Sequence, residues 1–191
     1  MKLIVKLLAA ITIILSSFHV STAQLNALSR NTITNDVKKI IEDYPNHFQN
    51  IIGELLIENP QSSDYSSLLK INGAEECTIT KYSATKKDIY SWQALMLTTE
   101  NFDEAKKKFR SWFSQINNLS VTGWHLNGVY ENPEMEKKFT SVIFSFDPGN
   151  EALRNLKVEL SIENEVMEWK IKLLVYGRER DDDERGQIKE N

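Results

Sequence analysis

Two runs of strict alternation near the end of the chain limit its fold more than any other feature. Leu156, Val158, Leu160 and Ile162 alternate with Lys157, Glu159, Ser161 and Glu163. Met167, Trp169, Ile171, Leu173 and Val175 alternate with Glu168, Lys170, Lys172 and Leu174. A period of two sends successive side chains to opposite faces, so both runs read as half-buried strands. With Asn164 and Glu165 as the turn, Ile162 faces Met167, Leu160 faces Trp169, Val158 faces Ile171 and Leu156 faces Leu173. Glu159 then meets Lys170 on the polar face. A slip of one residue would move every apolar side chain to the wrong side. Such a ribbon needs a cover over its apolar face.

The sequence supplies that cover. Phe102, Ala105, Phe109, Trp112, Phe113 and Ile116 form one stripe at helical spacing. Asn101 precedes Asp103 and Glu104, a capping residue followed by an acidic first turn. Asp103 with Lys107, and Glu104 with Lys108, lie four apart and favour the helix. An earlier helix is expected over Ile33, Val37, Ile40, Ile41 and Tyr44, stopped by Pro45 and capped by Thr34 or Asn35. Residues 24–32 carry no period and read as a polar leader to it.

Between and around the helices the chain reads as strands. Ile51 onward is extended, although a helical face over Phe48, Ile51, Ile52, Leu55 and Leu56 competes. Tyr65–Ile71 and Ala74–Tyr82 flank Asn72-Gly73, a strong hairpin signal that places Lys70 opposite Glu75. Ile89–Thr98 is apolar on both faces, as a central strand is. Residues 139–146 alternate, with Val142, Phe144 and Phe146 on one side. The links are too short for crossover helices, so the sheet is mainly antiparallel. The expected fold is α+β: about six to eight strands under two main helices, in the order α-β(4)-α-β(4).

The first residues set the compartment. Lys2 and Lys6 precede an apolar run, Leu7–Leu15, and Ser21-Thr22-Ala23 offers small residues before Gln24. This is the order of a secretory signal peptide, and the run is shorter than the about 20 residues of a spanning helix. The expected organisation is a signal peptide at 1–23, one α+β domain at 24–177, and a charged, disordered tail at 178–191. A periplasmic or secreted location follows, with no stable membrane anchor after cleavage. Formal net charge is −4, and loss of Lys2 and Lys6 makes the remainder more acidic. No basic cluster serves nucleic acid. Cys77 is the only cysteine, so an internal disulfide is excluded and a buried, inert thiol is expected.

Residues 90–99 (YSWQALMLTT) followed by 102–109 (FDEAKKKF) resemble small uncharacterised exported proteins of Bacteroidota-type bacteria, over about Tyr44–Val121. The resemblance implies a periplasmic or secreted setting and assigns no activity.

Chemistry-bearing motifs are missing. The sequence has no G-x-S-x-G, no P-loop, no dinucleotide fingerprint and no metal-ligand spacing. No catalytic residue, metal ligand or cofactor is therefore assigned. The leading expectation is a non-catalytic envelope domain that binds a protein or a small apolar ligand. Tyr90, Trp92, Trp124 and Tyr130 are its candidate ligand-binding residues, with ordinary core packing as the alternative for each. The runner-up is a small hydrolase of envelope or extracellular polymer. It would use His125 or a carboxylate pair drawn from Glu54, Glu58, Glu76 and Glu131. A Cys77–His125 pair and a third possibility, self-association through a sheet edge, complete the set.

Overall fold

A computed structural model of the chain describes residues 22–83, 88–117, 119–146 and 151–177. Residues 1–21 of the signal peptide expected at 1–23, and the tail expected at 178–191, lie outside the described residues. The chain divides into two compact units, residues 1–31 and 32–191. All nine strands belong to the second.

Helix α1 spans Thr22–Asp43, so the polar leader is helical rather than irregular. A short 3-10 turn, Tyr44–Asn46, ends it at Pro45. The meander that follows is β1 (Ile52–Glu58), β2 (Ser62–Ser67), β3 (Glu76–Tyr82) and β4 (Ile89–Thr99). Helix α2 covers Phe102–Ile116. The second meander is β5 (Ser120–Val121), β6 (Trp124–Asn127), β7 (Phe139–Phe146), β8 (Leu156–Glu165) and β9 (Glu168–Gly177).

The architecture is α+β, and its one sheet is antiparallel throughout, in the order β1-β2-β3-β4-β9-β8-β7-β6-β5. It has nine strands, more than the expected six to eight, and the second half carries five rather than four. The additions come from residues 120–127. Thr122 and Gly123 take left-handed conformations, φ 49° and 85°, and fold two very short strands back on each other. Strands that short carry no readable alternation.

One face of the sheet holds the core. Tyr65, Ile79, Trp92, Val175, Val158 and Phe144 are cross-strand neighbours in one row. Cys77, Ala94, Leu173, Leu160 and Val142 form the next. Both helices add to the same cluster, α1 through Ile33, Val37, Ile40 and Ile41. Helix α2 buries Phe102, Ala105, Phe109, Trp112 and Ile116, as its stripe requires. Asn101 caps it, its side-chain oxygen accepting from the Glu104 N–H at 3.1 Å. The Asp103–Lys107 and Glu104–Lys108 ion pairs do not form. Glu104 instead accepts from the Thr99 hydroxyl, and Lys106 sits 5.7 Å over the Phe102 ring.

The register of β8 and β9 differs from the sequence reading. Ile162 faces Ile171, Leu160 faces Leu173 and Val158 faces Val175. The turn is Val166-Met167, and Asn164 and Glu165 lie inside the ladder opposite Trp169 and Glu168. Each partner moves by an even number of residues, so the apolar face survives. The observed register buries Trp169 and brings Glu163 and Glu165 to Lys170 and Lys172. The Asn72-Gly73 expectation is corrected as well. Gly73 has φ 86° and closes a turn within a longer connection, while Glu75 accepts from the Thr98 N–H and hydroxyl instead of facing Lys70.

The open ends of the sheet are β1 and β5. Strand β1 leaves Leu55, Leu56 and Ile57 half exposed, and register shifts interrupt its pairing with β2 twice. Bulges and the flanking Glu54 and Glu58 are features that discourage another strand from adding to an edge.

Candidate ligand cleft

The cleft begins where α1 stops. His47 and Phe48 both adopt left-handed backbone, φ 54° and 59°. That conformation is costly for residues with a Cβ, and two in succession need compensation. Asp43 supplies it. The residue is buried, and its carboxylate accepts from the Asn50 side-chain amide at 2.6 Å and from the Asn50 N–H at 3.2 Å. The Asp43 carbonyl accepts from the Phe48 N–H at 3.2 Å. Phe48 is fully buried and meets Tyr44 edge-on at 6.1 Å. Burying Phe48 turns the preceding side chain outward, and the His47 ring stacks on Tyr90 at 5.6 Å and 27°.

A cavity of about 270 Å³ opens beside this stack. Tyr44, Pro45 and His47 wall one side, Asp88, Ile89 and Tyr90 the other, and Ala152 and Gly177 complete the lining. Asp88 is tied to Lys81 at 2.8 Å, and this hydrogen-bonded carboxylate holds the Lys81 ammonium above its usual pKa. Lys81 and Tyr90 are cross-strand neighbours. The cleft thus offers two tyrosine rings, an imidazole and a neutralised ion pair. That is a binding surface of rings with a few polar groups, and it holds no activated nucleophile.

The four aromatic residues singled out in the sequence do not converge. Tyr90 lines the cleft. Trp92, its neighbour but one, is fully buried and is core, its indole N–H donating to the Ser67 hydroxyl at 2.9 Å. Trp124 lies on β6, four strand spacings from β4 and so about 19 Å away. Tyr130 packs against Phe113 at 4.9 Å and Phe109 at 6.2 Å, under α2 rather than in the cleft. Burial raises its phenol pKa. Trp124 is half-buried and Tyr130 packs against the core, so the structure does not bring either of them to Tyr90. Sequence reading missed Tyr44, His47 and Asp88. The signal for the first two was the run Tyr44-Pro45-Asn46-His47 at a helix end, where turn formers present rings to solvent.

The enzymatic candidates are scattered. His125 is exposed on β6 opposite Ser120, whereas Cys77 is buried on β3. Five strand spacings, about 24 Å, separate them. Glu54 and Glu58 lie on the β1 edge, Glu76 on β3, and Glu131 beyond β6 in an ion pair with Lys137. Among the described residues no group of His, Cys, Asp or Glu is placed to hold a metal ion, and no helix is long and apolar enough to cross a membrane. Burial pushes the Cys77 thiol pKa up, which suppresses the reactive thiolate. Cys77 is therefore expected to react with an aromatic disulfide reagent at least ~100-fold more slowly in the folded protein than in denaturant, as the released chromophore will report.

Comparison with protein-family models, curated proteins and solved structures finds no match.

Proposed function

We propose that this chain is an exported, non-catalytic binding domain of the cell envelope whose site is the cleft between His47 and Tyr90. The observation that carries the reading is the strained His47–Phe48 corner, clamped by Asp43, that sets an imidazole against a tyrosine at the mouth of a cavity. Non-glycine residues in left-handed backbone concentrate where a protein needs a side chain in one place. The cavity volume, about 270 Å³, suits a small molecule rather than a peptide helix or a lipid chain. The ring faces of Tyr44 and Tyr90 favour a flat or apolar body. The Lys81–Asp88 pair beside them supplies one donor and one acceptor for a polar edge.

The leader at the start of the chain supports the envelope setting. Binding rather than catalysis is supported by the spread of His125, Cys77 and the carboxylates over separate strands.

Native mass spectrometry of the full chain purified from its own cells tests the reading. The expected spectrum contains a small retained ligand, and His47→Ala and Tyr90→Ala each reduce its occupancy about tenfold or more, the effect of losing one ring contact of about 1.4 kcal/mol. A ligand that both variants retain in full, or a wild-type chain that carries none from its own envelope fraction, would remove the cleft from consideration.

A further inference from the structure

The hairpin β8–β9 ends in a feature that the cleft does not explain. Val166 and Met167 form its two-residue turn with φ 47° and 75°. A turn with both central residues at positive φ selects Asn-Gly, because other residues strain there and a β-branched residue strains most. The chain places a valine and a methionine at these positions. They are also two of the three most exposed large apolar side chains described, at 96 % and 84 %, and the only two of those three that are adjacent in the chain. The stalk that carries them is firm, with cross-strand pairs running from Leu156–Gly177 to Glu165–Glu168. Folding gains nothing from apolar side chains held in water by strained backbone, so a contact outside the chain accounts for them better.

The charges around the tip indicate the kind of contact. Lys172 bonds Glu163 and Glu165, and Lys170 bonds Glu165 at 2.6 Å. These contacts hold the Glu165 carboxyl down at about 2. Glu168, the next residue after the turn, is exposed and makes no ion pair among the described residues. The collar is acidic, with three glutamates against two lysines. An anionic bilayer surface attracts basic collars and repels this one. A second copy would bring Glu168 against the same acidic collar.

We propose that the Val166–Met167 turn is a docking finger that enters an apolar pocket of a protein partner, with a lysine or arginine on the pocket rim meeting Glu168. The finger is independent of the cleft, and its test does not use the cleft ligand.

The test places the photo-crosslinker p-benzoyl-phenylalanine at Met167 in the full chain, expressed and irradiated in its own cells, with the adduct mapped by peptide mass spectrometry. Expected is one protein adduct whose attachment site is an apolar surface patch bordered by Lys or Arg. In a parallel experiment in cell extract, excess unlabelled wild-type chain added before irradiation should reduce the adduct tenfold or more. The Val166→Asn/Met167→Gly chain and the Glu168→Lys chain should not compete. The Val166→Asn/Met167→Gly chain should also melt about 4 °C higher than wild type, because its turn is relaxed. That outcome separates lost contact from lost folding. An adduct to lipid, to another copy of this chain, or to many proteins, no adduct, or equal competition by the Val166→Asn/Met167→Gly chain would each overturn the proposal.

Discussion

Trp92→Ala should cost about 3–5 kcal/mol, roughly half the stability of an ordinary domain. The indole is fully buried in the row that runs from Tyr65 to Phe144, between Ile79 on one side and Val175 on the other. Two structural losses combine. The vacated volume lies between strands fixed by their own ladders, so the core cannot collapse to fill it. The Ser67 hydroxyl also loses the indole N–H at 2.9 Å while continuing to donate to the Leu69 carbonyl at 2.7 Å. Urea denaturation measures the effect: the midpoint should fall sharply with little change in slope. Trp92→Phe, which keeps most of the volume, should recover more than half of the loss. A cost below about 1 kcal/mol for the alanine variant would mean that the central row is not packed as described.

Asp43→Ala is the second large effect, about 2–4 kcal/mol, and it reaches the proposed site. The carboxylate is buried and accepts from both the backbone and the side chain of Asn50. Hydrogen bonds to a charged group are worth more than neutral ones, and their removal frees the exposed Asn50 from the buried end of α1. Without that clamp the left-handed pair His47–Phe48 is held only by the Phe48 N–H bond to the residue-43 carbonyl and by the burial of Phe48. The His47 ring should then lose its place on Tyr90. The imidazole proton resonances, shifted by the tyrosine ring in the wild type, should return toward their free positions in the variant. Asp43→Asn, which keeps one acceptor oxygen, should show a smaller change in both readouts. Unchanged imidazole shifts in Asp43→Ala would show that something other than the clamp orients His47.

Much of the fold could be read from the sequence where periodicity and local chemistry agree. Helix α2 combined a stripe at 3.6 spacing, a capping asparagine and an acidic first turn, and the structure has it at Phe102–Ile116. The faces of β8 and β9 were legible because parity is strict. Their register was not, since a shift by an even number of residues keeps Trp169, Ile171, Leu173 and Val175 inward and only turns Met167 out into the loop. What distinguishes the observed register lies within the hairpin and is not visible to parity: the ion pairs of Lys170 and Lys172 with Glu163 and Glu165. Asn72-Gly73 identified the right pair of strands, β2 against β3, but not the length of their connection or the register, because a turn dipeptide marks a turn without fixing where the ladder begins. The cleft was almost invisible. Its walls come from residues 44, 45, 47, 88–90, 152 and 177, and the stack depends on a left-handed backbone held by the Asp43 contacts and the burial of Phe48 together.

The position of β9 has a consequence for how the molecule is made. The last of the described strands in sequence order lies in the middle of the sheet, between β4 and β8. Until it emerges, the first meander ends in a bare edge at β4 and the second in a bare edge at β8, and neither half has a finished interior. Contacts this distant in the chain form late and slowly. A sheet laid out in this order closes only when β9 docks between β4 and β8, so its central ladder depends on contacts made across most of the domain.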